Sequence, residues 1–170
     1  MPCACLLPPE IYPDASEWGP LLWSIIHGLA ERVGSSVTDR YIPDERRTLE
    51  KLFKALEKAI PCPSCKEHYE VYLKEHPVEK SIRELPYGSP LKEYVKHWYW
   101  ELHNWVNISL SRPELPYEAL TDLYKSVNIR QKMKALDNPM KRAINLRSGQ
   151  LFAYMEFLKQ VNTLLSLYGI

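Results

Sequence analysis

The feature that most restricts the fold of this chain is the spacing of its apolar residues between prolines and glycines. In the first segment, apolar residues recur four, three and four positions apart, at Leu22, Ile26, Leu29 and Val33. A second segment keeps the helical period at Leu49, Leu52, Phe53, Leu56 and Ile60. This spacing places apolar side chains on one face of an α-helix, and no segment alternates apolar and polar residues as a strand does. The pattern therefore predicts an all-α protein.

Breaks in the pattern set the expected helix bounds. Ser16 or Asp14 can cap the first helix and Gly34 ends it, while Pro43 opens the second helix and Pro61 ends it. Further helices are predicted over residues 62–76, 91–110 and 117–126, and a last apolar stripe runs through 151–165. Four main helices with short links indicate a four-helix bundle, with a short fifth helix and a helical C-terminal extension.

Charge is divided unevenly along the chain. Residues 1–124 carry 14 basic and 19 acidic side chains, whereas residues 125–170 carry 8 basic and 2 acidic ones. We expect three parts: an N-terminal arm of residues 1–13, a main domain of residues 14–126, and a basic helical extension of residues 127–170. The basic side chains are best explained as solvated surface. The apolar stripe predicts that the extension folds and contributes to oligomerisation or to the choice of partner.

Composition argues against several classes of partner. The 170-residue chain has a formal net charge of +1, which gives no reason to expect binding to nucleic acid or to an anionic membrane. No apolar run approaches the ~20 residues needed to cross a bilayer. Residues 1–9 lack the basic and apolar regions of a secretory signal, so we expect a soluble protein made without export.

The four cysteines form two close pairs, a C-x-C pair of Cys3 and Cys5 and a C-x-x-C pair of Cys62 and Cys65. A small secreted protein held by disulfides would distribute more cysteines along its chain. Two close pairs in a chain without visible export indicate redox chemistry or metal binding.

Three interpretations of the C-x-x-C pair stay open. A structural disulfide would close too short a loop to stabilise the chain much. Zinc could be held by Cys62, Cys65 and His68 with Cys3 or Cys5, but this spacing matches no common zinc motif. A redox dithiol fits the expected start of the third helix, because free amides and the helix dipole stabilise a thiolate there. Since the usual host of such a motif needs βαβ units, this dithiol would act from a helical scaffold.

Polar residues on two other predicted helices suggest a cofactor pocket. His103, Asn104 and Asn107 lie within one turn of each other on an aromatic-rich helix, and Trp23 and His27 are one turn apart on the first helix. Each side chain alone is best explained as a core polar group. Together they describe an apolar pocket with flat walls and a few hydrogen-bonding groups, which suits a flat heteroaromatic cofactor.

Three motifs in order carry a family resemblance. They are W-G-P-x-x-W-x-x-x-H at residues 18–27, P-C-x-x-C at residues 61–65 and H-N-x-V-N at residues 103–107. On these motifs the chain resembles the Erv/ALR family of FAD-linked sulfhydryl oxidases over about residues 18–124, most closely the short members of large cytoplasmic DNA viruses. The resemblance implies a five-helix unit that holds FAD against the dithiol.

The resemblance also implies roles for individual residues. Cys65 would face the flavin as the charge-transfer thiolate, and Cys62 would be the outer sulfur that exchanges with incoming thiols. Cys3 and Cys5 would form a shuttle disulfide on a mobile arm. The residues implied to line the cofactor are Gly19, Trp23, His27, His103, Asn104, Val106, Asn107, Arg112, Tyr117 and Tyr124. Two positions depart from the family pattern: residues 109–112 read Ser-Leu-Ser-Arg instead of K-L-x-K, and the two tyrosines stand where Trp is usual.

The activity that this resemblance implies is enzymatic. The protein would oxidise dithiols of protein substrates to disulfides through Cys62 and Cys65, with FAD as cofactor, O2 as acceptor and H2O2 as product. We expect a homodimer and no metal in the site. A zinc-binding helical adaptor is the alternative function. We expect a cytoplasmic location, at viral assembly sites or in the virion, and regard the mitochondrial intermembrane space as less favoured.

Overall fold

The computed structural model describes residues 12–170. Within this range all regular structure is helical, and the all-α prediction is confirmed. The helices are α1 Ala15–Ala30, α2 Ile42–Ala59, α3 Pro63–Glu75, α4 Glu79–Glu84, α5 Ser89–Ser109, α6 Leu120–Tyr124, α7 Ile129–Asn145 and α8 Leu151–Leu167. The sequence pattern did not predict α4. This six-residue helix buries one side chain, Ile82, and a single apolar position reveals no helical period. No helix of the described range is long and apolar enough to span a membrane.

The two ends of α1 follow local signals. Of the two possible caps, Asp14 is the one used: its carboxylate accepts the Ser16 N–H at 2.8 Å, and the Glu17 side chain accepts the Asp14 N–H at 3.0 Å. After the last turn, Gly34 adopts a φ of +77°, and a Cβ placed there would lie 2.7 Å from the Cα of Gly88. Only glycine therefore permits the backbone at the end of α1 to touch the start of α5.

The C-terminal helices pack on the bundle. α8 lies along α2 and α7 lies along α1, and these are the two most extensive helix contacts of the described residues. One hydrophobic core joins side chains of α1, α2, α3 and α5 with those of α7 and α8, such as Leu136, Phe157 and Leu164. The predicted boundary after Ser126 falls in the link between α6 and α7, but the core continues across it.

The end of the chain is fixed by a buried carboxylate. Glu45 of α2 is fully buried, and it accepts hydrogen bonds from the Gly34 N–H at 2.8 Å, the Tyr168 hydroxyl at 2.9 Å and the Tyr87 hydroxyl at 2.5 Å. Burial and the neighbouring carboxylate raise the pKa of Tyr168 well above its usual range, and the same two causes raise the pKa of Tyr87 to about 12. Both hydroxyls therefore stay protonated and donate.

Candidate active site

The two sulfurs of the C-x-x-C pair are joined by a disulfide at the start of α3. Cys62 is the N-cap of this helix, and its sulfur accepts the backbone N–H of Cys65 at 3.3 Å. The hydroxyl of Ser64 lies 3.3 Å from the same sulfur. Once the disulfide is reduced, these donors and the positive end of the helix favour negative charge on a sulfur at this position. The local structure thus supports an exchangeable dithiol.

A cleft of about 240 Å³ lies beside this disulfide, between α1, α3 and α5. Cys65 lines the cleft, whereas Cys62 does not. The walls are mainly apolar, and their larger members are Trp18, Leu22, Ile26, Leu56, Leu102 and Leu110. The two sulfurs therefore differ in their surroundings: that of Cys65 borders an apolar cleft, and that of Cys62 caps the N-terminus of α3.

Four residues that the sequence assigned to the cofactor line the cleft: Gly19, Trp23, Val106 and Arg112. Trp23 contributes a flat wall, and the space above Gly19 is open, with no heavy atom within 4 Å of a Cβ placed there. Arg112 contributes a positive charge just after the end of α5. An apolar slot with an aromatic wall and an arginine suits a ligand that has a flat ring system and an anionic part.

Three further predicted residues do not line the cleft, but they form a stack of rings with its wall residue Trp23. Trp23 and His103 are nearly parallel with centroids 4.0 Å apart, and His27 stacks on Tyr124 at 4.6 Å. The His27 Nε2 and the His103 Nδ1 are 3.0 Å apart, so one nitrogen must carry the proton that the other accepts. The stack thus connects α1, α5 and α6 behind the cleft.

Both imidazoles of this stack are neutral near pH 7. Burial, and then the nearby His103, lowers the pKa of His27 to about 3. Burial, and then the charge of Arg112, lowers the pKa of His103 to about 4. Neither ring can take up a second proton at neutral pH, so the two act as a fixed donor and acceptor pair.

The structure does not bring Asn104 and Tyr117 to the cleft. The amide of Asn104 donates to the carbonyl of Leu115 at 2.9 Å and accepts the N–H of the same residue at 2.7 Å. Tyr117 lies against another face of α5, where its hydroxyl donates to Glu93 at 2.6 Å and its ring contacts Trp100. Asn104 therefore fixes the segment after α5. The cofactor contacts of both residues stay predictions.

Asn107 is half-buried in the last turn of α5 and lies outside the cleft lining. Its carbonyl accepts the Arg112 N–H at 2.8 Å, across a turn in which Ser111 has a φ of +54°. A serine in the left-handed region is uncommon. This turn directs the chain after α5 so that Arg112 reaches the cleft.

Sequence comparison places the chain in a family. Residues 20–132, well over half of the chain, match the Erv1/Alr family. The chain belongs to the Erv1/Alr family. The matched range contains the dithiol, the ring stack and most of the cleft, which confirms the resemblance carried by the three motifs.

Individual relatives of this Erv1/Alr chain are distant. It is 29% identical over 100 residues to the FAD-linked sulfhydryl oxidase ERV1 of Oryza sativa, a match covering 59% of this chain and 45% of the rice protein. It is 30% identical over 103 residues to protein 347L of Invertebrate iridescent virus 6, a candidate FAD-linked sulfhydryl oxidase by its name, covering 61% of this chain and 87% of the viral one. The crystal structure of the yeast Erv1 core aligns with a TM-score of 0.48 and 20% identity, covering 75% of this chain and 98% of the yeast chain. The chain thus spans about half the length of the plant relative.

Among the wall residues of the Erv1/Alr cleft that were not predicted from the sequence is Trp18, which opens the W-G-P motif. Trp18 is nearly buried, and its Nε1 is one of two buried side-chain nitrogen or oxygen atoms of the described range without a hydrogen-bond partner. Buried donors are normally paired, so an unpaired donor in the wall fits an acceptor atom on a bound ligand. The cleft residues therefore suit a ligand that carries acceptor atoms as well as a flat ring.

The described residues give no support to the zinc-binding alternative. Residues 12–170 contain no group of three or more His, Cys, Asp or Glu side chains arranged to hold a metal ion. The sulfurs of Cys62 and Cys65 are also bonded to each other. The shuttle pair Cys3 and Cys5 lies outside the described residues, and its role stays a prediction.

Proposed function

We propose that this Erv1/Alr chain is a FAD-linked sulfhydryl oxidase that forms disulfides in protein substrates. The observation that carries the proposal is the division of the dithiol: Cys65 lines an apolar cleft with Trp23 and Arg112, and Cys62 lies outside it. A thiol oxidase needs this division, since one sulfur must meet the substrate and the other the cofactor. The names of the plant and viral relatives support the same function.

The residues present fit FAD. Trp23 offers a flat wall, Arg112 a charge for phosphate, and the unpaired Nε1 of Trp18 a donor in the wall. About 240 Å³ is below the ~300–1,000 Å³ of a complete ligand pocket, so the cleft can enclose only part of FAD. When bound, FAD would accept two electrons from the dithiol and transfer them to O2, which gives H2O2.

The chain itself performs thiol–disulfide exchange. A substrate thiolate attacks the sulfur of Cys62, the Cys62–Cys65 bond breaks, and Cys65 leaves as a thiolate. A second substrate thiolate then attacks the mixed disulfide and releases Cys62. The substrate has lost two electrons and two protons, and the sulfur of Cys65 is left beside the apolar walls of the cleft.

An absorption spectrum and two variants test this proposal. Purified protein should be yellow and should consume O2 when dithiothreitol is added. Cys62→Ser and Cys65→Ser should both abolish turnover, but Cys62→Ser alone should show a long-wavelength band, because an unpaired Cys65 thiolate then lies beside the flavin. A band in Cys65→Ser instead would reverse the assignment. A colourless protein that cannot be reconstituted with FAD would refute the function, and stoichiometric zinc would favour the adaptor.

We propose further that the chain forms a homodimer, as its family resemblance implies. The start of α8 exposes a cluster of apolar side chains, Leu151, Phe152 and Met155, with Phe152 86% exposed. A second copy could cover this cluster. Light scattering after size exclusion should give twice the 19.9 kDa mass, and Phe152→Ser should lower it if this cluster is the interface. A cytoplasmic site of action is likewise our proposal, which follows from the family resemblance alone, and microscopy of the tagged protein would test it.

A further inference from the structure

We propose that His68 takes up the proton released when a substrate thiol attacks the dithiol, and that its positive charge then stabilises the Cys65 thiolate. The inference rests on the proposed function and assigns a role in it to one further residue. In thiol–disulfide exchange at Cys62 the substrate thiol loses its proton and Cys65 leaves as a thiolate, which takes up that proton unless another group holds it.

The position of His68 carries the argument. It follows Cys65 by three residues in α3, and side chains at this spacing are neighbours on one helix face, with Cβ atoms about 5–6 Å apart. Both residues line the same cleft. The imidazole is held at the cleft edge by Trp105 of α5, whose ring lies 5.5 Å away in an edge-to-face arrangement. Trp105 is itself placed by Tyr72, 5.9 Å away and one turn further along α3.

The other ionisable groups around the cleft cannot exchange a proton near pH 7. Arg112 keeps its charge throughout, and burial raises the pKa of Tyr69 well above its usual range. The stacked His27 and His103 have pKa values of about 3 and 4, so they stay neutral. His68 is exposed, and imidazole is the side chain whose ordinary pKa lies closest to neutrality.

Further charged groups stand near these two residues. On α3, Lys66 and Glu67 lie between Cys65 and His68 in sequence, and neither lines the cleft. On α5, Glu101 lies one turn before Trp105 and interacts with Tyr72. These charged groups are present in every variant of the test below, so a difference between two variants does not come from them.

In the first step of the exchange, a proton moves to His68 and an electron pair moves to Cys65. A substrate thiol gives its proton to the neutral imidazole of His68, and the resulting thiolate attacks the sulfur of Cys62. The new bond joins the substrate sulfur to Cys62, the Cys62–Cys65 bond breaks, and its electron pair stays on Cys65. One negative charge on Cys65 and one positive charge on His68 result. The pair is formed one helical turn apart, where opposite charges favour each other.

The test measures how strongly the two groups are coupled. In the full chain carrying Cys62→Ser, the rate at which iodoacetamide alkylates Cys65 is followed against pH by peptide mass spectrometry. Adding His68→Gln should raise the midpoint of this profile by about 0.5 pH unit or more, since the stabilising charge is lost. His68→Lys keeps a positive charge and should restore the low midpoint.

The reciprocal measurement separates an electrostatic role from a structural one. The pKa of His68, followed by NMR, should be higher in Cys62→Ser than in Cys62→Ser/Cys65→Ser, by the same shift. His97→Gln is the matched control, because this exposed histidine of α5 lies outside the cleft lining, and it should leave the Cys65 midpoint unchanged. Equal Cys65 midpoints in the His68→Gln and His97→Gln proteins would overturn the inference. The same follows if the pKa of His68 is unchanged when Cys65 is replaced. Neither result touches the proposed function, which fails only if FAD and thiol oxidation are absent.

Discussion

The buried carboxylate of Glu45 joins the end of the chain to the bundle, and Tyr168→Phe removes one of its three hydrogen bonds. The substitution deletes a single oxygen, which donates to Glu45 at 2.9 Å, and leaves the ring in place. A hydrogen bond to a charged acceptor contributes about 1.5–3 kcal/mol. We therefore expect the free energy of unfolding to fall by about 2 kcal/mol. For a chain of this length the melting temperature should fall by roughly 4–8 °C.

Thermal and urea unfolding, followed by far-ultraviolet circular dichroism, measure this loss. Tyr154→Phe is the matched control on the same helix, because its hydroxyl makes only a 3.4 Å contact with Asp137, a partly exposed carboxylate that also pairs with Lys141. It should cost less than about 1 kcal/mol. Dithiol oxidation at 25 °C should not change in either variant, since neither tyrosine lines the cleft. Equal losses in the two variants would refute the idea that the Glu45 hydrogen bonds hold the chain end.

Three further outcomes are expected from the sequence and the fold. A chain ending at Ser126 should be insoluble or largely unfolded, because the faces of α1 and α2 that α7 and α8 cover would be exposed; a soluble, fully active product would contradict this. The stability of the protein should fall between pH 7 and pH 5, since the unfolded chain binds a proton at His27 and the folded one, with a pKa of about 3, does not. Proton binding by unfolded His27 lowers the free energy of unfolding by about 2 kcal/mol at pH 5. Urea titrations of His27→Phe should therefore show a shallower dependence of stability on pH. Cys3→Ser/Cys5→Ser should oxidise dithiothreitol normally but a protein substrate slowly; an equal loss of rate on both substrates, or a loss on neither, would remove the shuttle.

Local sequence patterns were enough to predict the long helices and the dithiol, but not the six-residue α4. The period of Leu22, Ile26 and Leu29 predicts the buried face of α1, and Pro61 with the C-x-x-C pair predicts where α2 ends and α3 begins. These signals work because helix formation and capping depend on residues only a few positions apart. The three ordered motifs likewise predict the family from the sequence alone.

Tertiary structure decided which of these residues meet. Whether Cys65 or Cys62 borders the cleft, and whether Asn104 faces a ligand or the backbone of Leu115, depends on how α3 and α5 are rotated in the bundle. Neighbouring residues of a helix point about 100° apart, so adjacent members of one motif reach different surroundings. Packing of distant core side chains sets that rotation, and a sequence pattern of a few residues cannot contain it.

The same reason explains the contacts that had no sequence signal. The donors to Glu45 come from the turn after α1, the loop before α5 and the end of the chain, and Tyr168 lies 123 residues away from it in sequence. Sequence alone determined that α8 has an apolar face. That this face packs along α2, and that Glu45 holds the end of the chain, is decided only by the closed fold, because contacts between distant segments exist only once the chain has folded.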